Sequence, residues 1–184
     1  MRLLYPFETA FPFETHTVCS CSYFHGGGWT VGSIDSHDGV CQLLAYQNRI
    51  SVVSVAYRLA PEHMFPSAVD DAIASCTFIL HQLRHATASI SDDSAAAAAA
   101  AAALWGVSPG AAVGVGGDSA GGTLAAVAAQ HLRSSLSFQL LIYPFTDGNR
   151  ANASDTVYNQ HVRYPLSRMF FVVNPSAGAH AARD

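Results

Sequence analysis

Apolar positions along this chain follow two alternating rhythms. Thr17 to Phe24 is a short strand-like run, and Ile50 to Tyr57, rich in β-branched residues, predicts a buried strand. Between them, Val40, Leu43 and Leu44 share one helical face and predict a helix over about Ser36–Gln47. Ser67 with Asp70 three residues on is a capping-box-like start. Val69, Ala72, Ile73, Cys76, Leu80 and Leu83 then continue at helical spacing to about His85. Ala111–Gly116 predicts a strand of small residues, Ala120–Leu132 a helix, Phe138–Tyr143 a strand stopped by Pro144, and Leu166–Val173 a last helix. This alternation predicts an α/β fold: a mostly parallel open sheet with right-handed crossovers and helices on both faces.

Two stretches fall outside the pattern. Residues 1–16 contain Pro-Phe-Glu-Thr twice, at Pro6 and Pro12, too short a unit for a repeat architecture, and are expected to be irregular. Residues 87–103 are of low complexity and end in nine consecutive alanines. Alanine favours helix but offers no ridge for packing, so this reads as a surface insertion within a domain spanning 17–184.

Composition narrows the function classes. At 184 residues the chain suits one domain with a sizeable core. Charged residues make up 12%, against about 25% in ordinary domains, so much of the chain must be covered. A net charge of −4 without a basic cluster argues against nucleic acid as a partner. No stretch approaches the ~20 apolar residues of a membrane span. Pro6, Glu8, Pro12 and Glu14 interrupt any signal-peptide core, leaving a cytoplasmic location as the expectation. Asn152-Ala153-Ser154 is a glycosylation sequon that matters only for a secreted chain.

Cys19, Cys21, Cys41 and Cys76 are too few and too irregular for a disulfide scaffold. On a strand Cys19, Cys21 and His25 share one face and His16 takes the other, so buried thiols, not a metal centre, are expected.

The chemistry concentrates in two glycine-rich segments just past predicted strand ends, where ligands gather in parallel sheets. Gly117-Asp118-Ser119-Ala120-Gly121-Gly122 reads G-x-S-x-G at a strand-to-helix turn, the arrangement that presents a serine oxygen as a nucleophile. His25-Gly26-Gly27-Gly28-Trp29 supplies backbone N–H donors for a developing oxyanion. Ser119 is therefore the candidate nucleophile, with Gly26, Gly27, Gly28 and Ala120 as candidate oxyanion donors. A dinucleotide fingerprint fails on the same glycines: Ser119 stands where a third glycine is required, and Gln139 where an acid is needed.

These two motifs, with Tyr57-Arg58-Leu59-Ala60-Pro61-Glu62-His63, Leu140-Leu141-Ile142-Tyr143-Pro144 and Asp147, resemble the hormone-sensitive-lipase branch of the α/β-hydrolases, carboxylesterases related to arylacetamide deacetylase. The resemblance runs from roughly Phe24 to Val173. It implies a partial α/β-hydrolase fold, ester hydrolysis through an acyl-serine, small ester substrates and no cofactor. The Tyr57–Glu62 run itself reads as loop architecture near the site, with Arg58 and Glu62 available as an ion pair. The resemblance makes His25 a loop-shaping residue and Asp118 part of the turn. It also implies a helical cap segment before the glycine loop, where only 24 residues stand, and a triad acid and histidine after Ser119 in that order. Downstream acids are Asp147, Asp155 and Asp184, and downstream histidines are His131, His161 and His180. Asp147 and His180 are the candidate acid and base. Impaired or absent turnover is the matching expectation, with a non-catalytic ligand-binding module, as in the gibberellin receptors, or an inert gene fragment as the alternatives. Nothing in the sequence fixes the oligomeric state.

Overall fold

The computed structural model describes residues 1–4, 17–88 and 107–146. Its strands are β1 (Arg2–Leu4), β2 (Thr17–Phe24), β3 (Ser51–Val55), β4 (Val107–Asp118) and β5 (Phe138–Ile142). Its helices are α1 (Asp38–Asn48), α2 (Ser67–Ala88) and α3 (Ala120–His131). One sheet runs β1-β3-β2-β4-β5. Neighbours from β3 to β5 are parallel, and β1 pairs antiparallel with β3.

Parallel strands need crossovers that cover both faces of the sheet, and all five residues of β3 are buried accordingly. Alternation then sorts the core into two layers. Tyr23 and Val52 pack with Cys41 and Ala45 of α1 on one face. Phe24, Val55 and Val115 pack with Ala72 and Cys76 of α2 and Leu124, Ala125 and Ala128 of α3 on the other. The predicted α/β architecture is the one observed.

Three sequence expectations need correction. Arg2–Leu4, expected to be irregular, forms the edge strand, where the Arg2 guanidinium bonds Asp35 ahead of α1 and Asp38 at its first residue. The buried stripe of α1 is Cys41 and Ala45 with Leu44 at its margin, while Val40 and Leu43 are exposed. Small side chains let the helix sit close to the sheet, so the larger apolar residues did not mark the inward face. Arg58 does not pair with Glu62. Its Nη2 and Nε bond the Asp71 carboxylate on α2 at 2.8 and 2.9 Å, and its backbone N–H bonds the same group at 2.9 Å. Burial pulls the Asp71 carboxyl upward, but hydrogen bonds and charge from Arg58 outweigh it and hold the group below its ordinary value.

Thr87 and Ala88 of the low-complexity segment end α2, and the rest of that segment and Leu166–Val173 lie outside the described residues. Among the described residues no helix is long and apolar enough to cross a membrane.

Candidate active site

β4 delivers its last residue, Asp118, and the chain reverses at Ser119 into α3. Ser119 holds φ 51° and ψ −119°, a left-handed conformation that side chains other than glycine rarely adopt. Such a residue costs of order 1–3 kcal/mol and persists only where surrounding bonds fix it. Here Ser119 N–H donates to Ile142 O at 2.9 Å, Thr123 N–H donates to Ser119 O at 3.1 Å, and Thr123 Oγ1 donates to Phe145 O at 2.6 Å. A serine at the start of a helix ordinarily caps it. Ser119 stands at that position and makes no side-chain cap bond, so among the described residues its half-buried hydroxyl is unengaged.

The turn sits tightly against the end of β2. A methyl group on Gly121 would overlap Phe24 O and lie 2.6 Å from His25 O, so only glycine lets α3 start there. Phe24 in turn pairs with Gly117 across the sheet, which places the loop after β2 beside the Ser119 turn.

That loop winds through three consecutive left-handed residues, Gly27 (φ 118°), Gly28 (φ 60°) and Trp29 (φ 60°). Gly27 O accepts from Thr30 N at 3.1 Å and Val31 N at 3.0 Å, and Trp29 O accepts from Ala60 N at 2.9 Å. The Trp29 ring is buried edge-on to Phe145 at 6.0 Å. Among the described residues, no acceptor takes the N–H of Gly27, Gly28 or Ala120. Gly26 differs: its N–H donates to Asp118 Oδ1 at 3.0 Å and is spent. The donor set expected from sequence therefore shrinks to Gly27, Gly28 and Ala120.

His25 is 1% exposed and its ring stacks on Tyr57 at 4.4 Å. His25 Nδ1 lies 2.7 Å from Gly26 O, which only accepts, so that nitrogen carries the proton. Tyr57 Oη donates to His25 O at 2.7 Å. Burial lowers the His25 pKa, against a smaller opposing pull from the Gly26 carbonyl, and keeps the ring neutral. Among the described residues Ser119 Oγ has no hydrogen-bond partner, histidine or carboxylate. His131 is exposed at the far end of α3, about 18 Å along the axis at 1.5 Å per residue. Asp147, His161 and His180 lie outside the described residues.

Sequence reasoning missed the polar cluster around Asp118. Tyr23 Oη donates to its Oδ1 at 2.9 Å, His37 Nε2 lies 3.4 Å from the same oxygen, and Tyr143 Oη lies 3.5 Å from Oδ2. No sequence signal pairs these residues, since Tyr23 and His37 stand 95 and 81 positions away from Asp118.

Comparison with known proteins bears on the family and the fold. A family profile described as the alpha/beta hydrolase fold matches residues 21–175. Esterase LipI of Mycobacterium tuberculosis is 41% identical over 128 residues, covering 67% of this chain and 34% of the relative. An ethyl acetate hydrolase of Pseudomonas putida is 32% identical over 182 residues, covering 88% and 51%. A fungal esterase structure from Rhizomucor miehei superposes with a TM-score of 0.73 at 27% identity, covering 95% and 50%. The chain thus spans 34% and 51% of the length of the two curated relatives. It belongs to the α/β-hydrolase fold family, in its hormone-sensitive-lipase-like group.

Proposed function

We propose that this chain carries the nucleophile and oxyanion half of a serine carboxylic ester hydrolase. Ser119 Oγ attacks the ester carbonyl, and the N–H groups of Gly27, Gly28 and Ala120 take the negative charge that develops on its oxygen. The alcohol leaves, and water then releases the acid from the acyl-serine. The observation that carries this reading is the Ser119 hydroxyl, held at positive φ and unengaged among the described residues, beside a loop whose Gly27 and Gly28 amides meet no acceptor among them. α3 adds its positive dipole end where the charge appears. Losing one such donor typically costs about 2.7–4 kcal/mol of transition-state stabilisation.

A proton acceptor must come from outside the described residues, with His180 and Asp147 as the proposed base and acid. Without a base, a site of this kind retains about 10³–10⁴ over water from oxyanion stabilisation and binding. Substrates are small acyl or aryl esters, and no cofactor takes part. The test is hydrolysis of nitrophenyl acetate and butyrate by the chain and by Ser119→Ala. Turnover that disappears with the serine supports the proposal. Equal rates in the two proteins refute it, and saturable ester binding without turnover favours a ligand-binding module.

A further inference from the structure

Asp118 lies between the two halves of the proposed site. It immediately precedes Ser119, and its carboxylate takes the amide that immediately precedes Gly27. The group is 7% exposed. A buried carboxylate is expensive unless its lone pairs are met by donors. Oδ1 meets Gly26 N–H at 3.0 Å, Tyr23 Oη at 2.9 Å and His37 Nε2 at 3.4 Å, while Tyr143 Oη lies 3.5 Å from Oδ2. His37 is oriented for this contact because its other ring nitrogen lies 2.8 Å from Ser36 Oγ.

Three successive left-handed residues make the glycine loop costly to hold in one shape. It is tied down at both ends, by Asp118 at Gly26 and by Ala60 N at Trp29 O. The first tie connects the loop to the residue beside the nucleophile. Drift of the loop relative to Ser119 must stretch it.

We propose that Asp118, braced by Tyr23 and His37, is a positioning residue for the oxyanion hole: it fixes the Gly26 amide and so aims the Gly27 and Gly28 amides at the oxygen bound at Ser119. This rests on the reading of Ser119 as nucleophile. Displacements of about 1 Å in such a site cost on the order of 10²-fold in rate.

The test combines amide hydrogen exchange at Gly26–Gly28, followed by NMR, with the kinetics of fluorophosphonate labelling of Ser119. Asp118→Leu removes the acceptor at similar volume. It is expected to speed Gly26 exchange about tenfold or more. It is also expected to lower the maximal labelling rate while leaving the reagent's half-saturation concentration unchanged. Asp118→Asn keeps an Oδ1 acceptor and is expected to restore both readouts to within a few-fold of wild type, which a generally damaged core would not do. If Asp118→Leu does not fold, Tyr23→Phe and His37→Phe report on the same brace, each with faster Gly26 exchange. Wild-type Gly26 exchange in folded Asp118→Leu, or in both brace variants, overturns the proposal. So does a folded Asp118→Asn that behaves like the leucine variant. Failure of the wild-type chain to label counts against Ser119 as nucleophile, while the exchange arm still decides the role of Asp118.

Discussion

Gly121→Ala sets two physical effects against each other. Glycine inside a helix costs roughly 0.8–1.0 kcal/mol relative to alanine, so propensity alone predicts stabilisation. The structure predicts the opposite sign. The new methyl would overlap Phe24 O and sit 2.6 Å from both Phe24 C and His25 O, all of them backbone atoms that cannot rotate aside. Relief requires moving α3 away from β2. Overpacking of this kind costs typically 1–3 kcal/mol and occasionally more, and with backbone as the obstacle the upper end applies. Subtracting the propensity gain leaves a net loss of about 2 kcal/mol. Gly39, in the first turn of α1, supplies the control, because a methyl there meets nothing within 4 Å. Gly39→Ala is expected to stabilise by roughly 0.5–1 kcal/mol. Urea unfolding followed by circular dichroism measures both. With a slope of about 1.5 kcal/mol/M, the first variant lowers the midpoint by roughly 1.3 M and the second raises it by roughly half that or less. A Gly121→Ala chain as stable as wild type, or more so, would refute the close-approach argument.

Further outcomes follow from the charges and thiols. The folded-state pKa of Asp71 lies below its ordinary value of 3.8. Its pairing with Arg58 therefore contributes fully above that pH and is lost as pH falls through the lower folded value. Melting temperatures of wild type and Arg58→Ala should differ at pH 6 and converge in strong acid, and a gap that persists there contradicts the pairing. His25 is held neutral by burial, so its folded pKa lies below 6.5. Its contribution to stability is present above pH 6.5 and declines as pH falls through the folded value, and an NMR titration midpoint above 6.5 would contradict the buried geometry. Burial pushes the Cys41 and Cys76 thiols up to about 11. At pH 8 iodoacetamide should modify the half-buried Cys19 first and reach Cys41 and Cys76 only on unfolding, as read by peptide mass spectrometry, and early modification of the latter two would count against this packing.

Much of this architecture could be read from local pattern. β-Branched runs, the capping-box start of α2 and the glycine-flanked serine each predict an element within a few residues of where it forms, and strict alternation yields the parallel sheet. What escaped depends on distance in sequence or on small residues. β1 is three residues long and owes its existence to a partner some fifty positions away, so no local signal marks it. The inward face of α1 is built from Cys41 and Ala45, which carry less apolar weight than the exposed Val40 and Leu43. Sequence proximity offers Arg58 only Glu62, and the placement of α2 brings Asp71 to it instead. The site divides in the same way. Ser119 and the glycine loop announce themselves by motif, whereas the consumption of the Gly26 amide by Asp118, 92 positions on, follows from the sheet register.

The proposed site requires the oxygen of Ser119 to look into main-chain donors supplied by the β2 loop and the start of α3. A crystal structure of the chain covalently modified by an alkyl phosphonate measures this directly. The proposed geometry puts phosphorus on Ser119 Oγ and the phosphoryl oxygen about 2.7–3.1 Å from the nitrogens of Ala120 and of Gly27 or Gly28. A phosphoryl oxygen directed to solvent, or an Oγ turned into the protein interior, would contradict it.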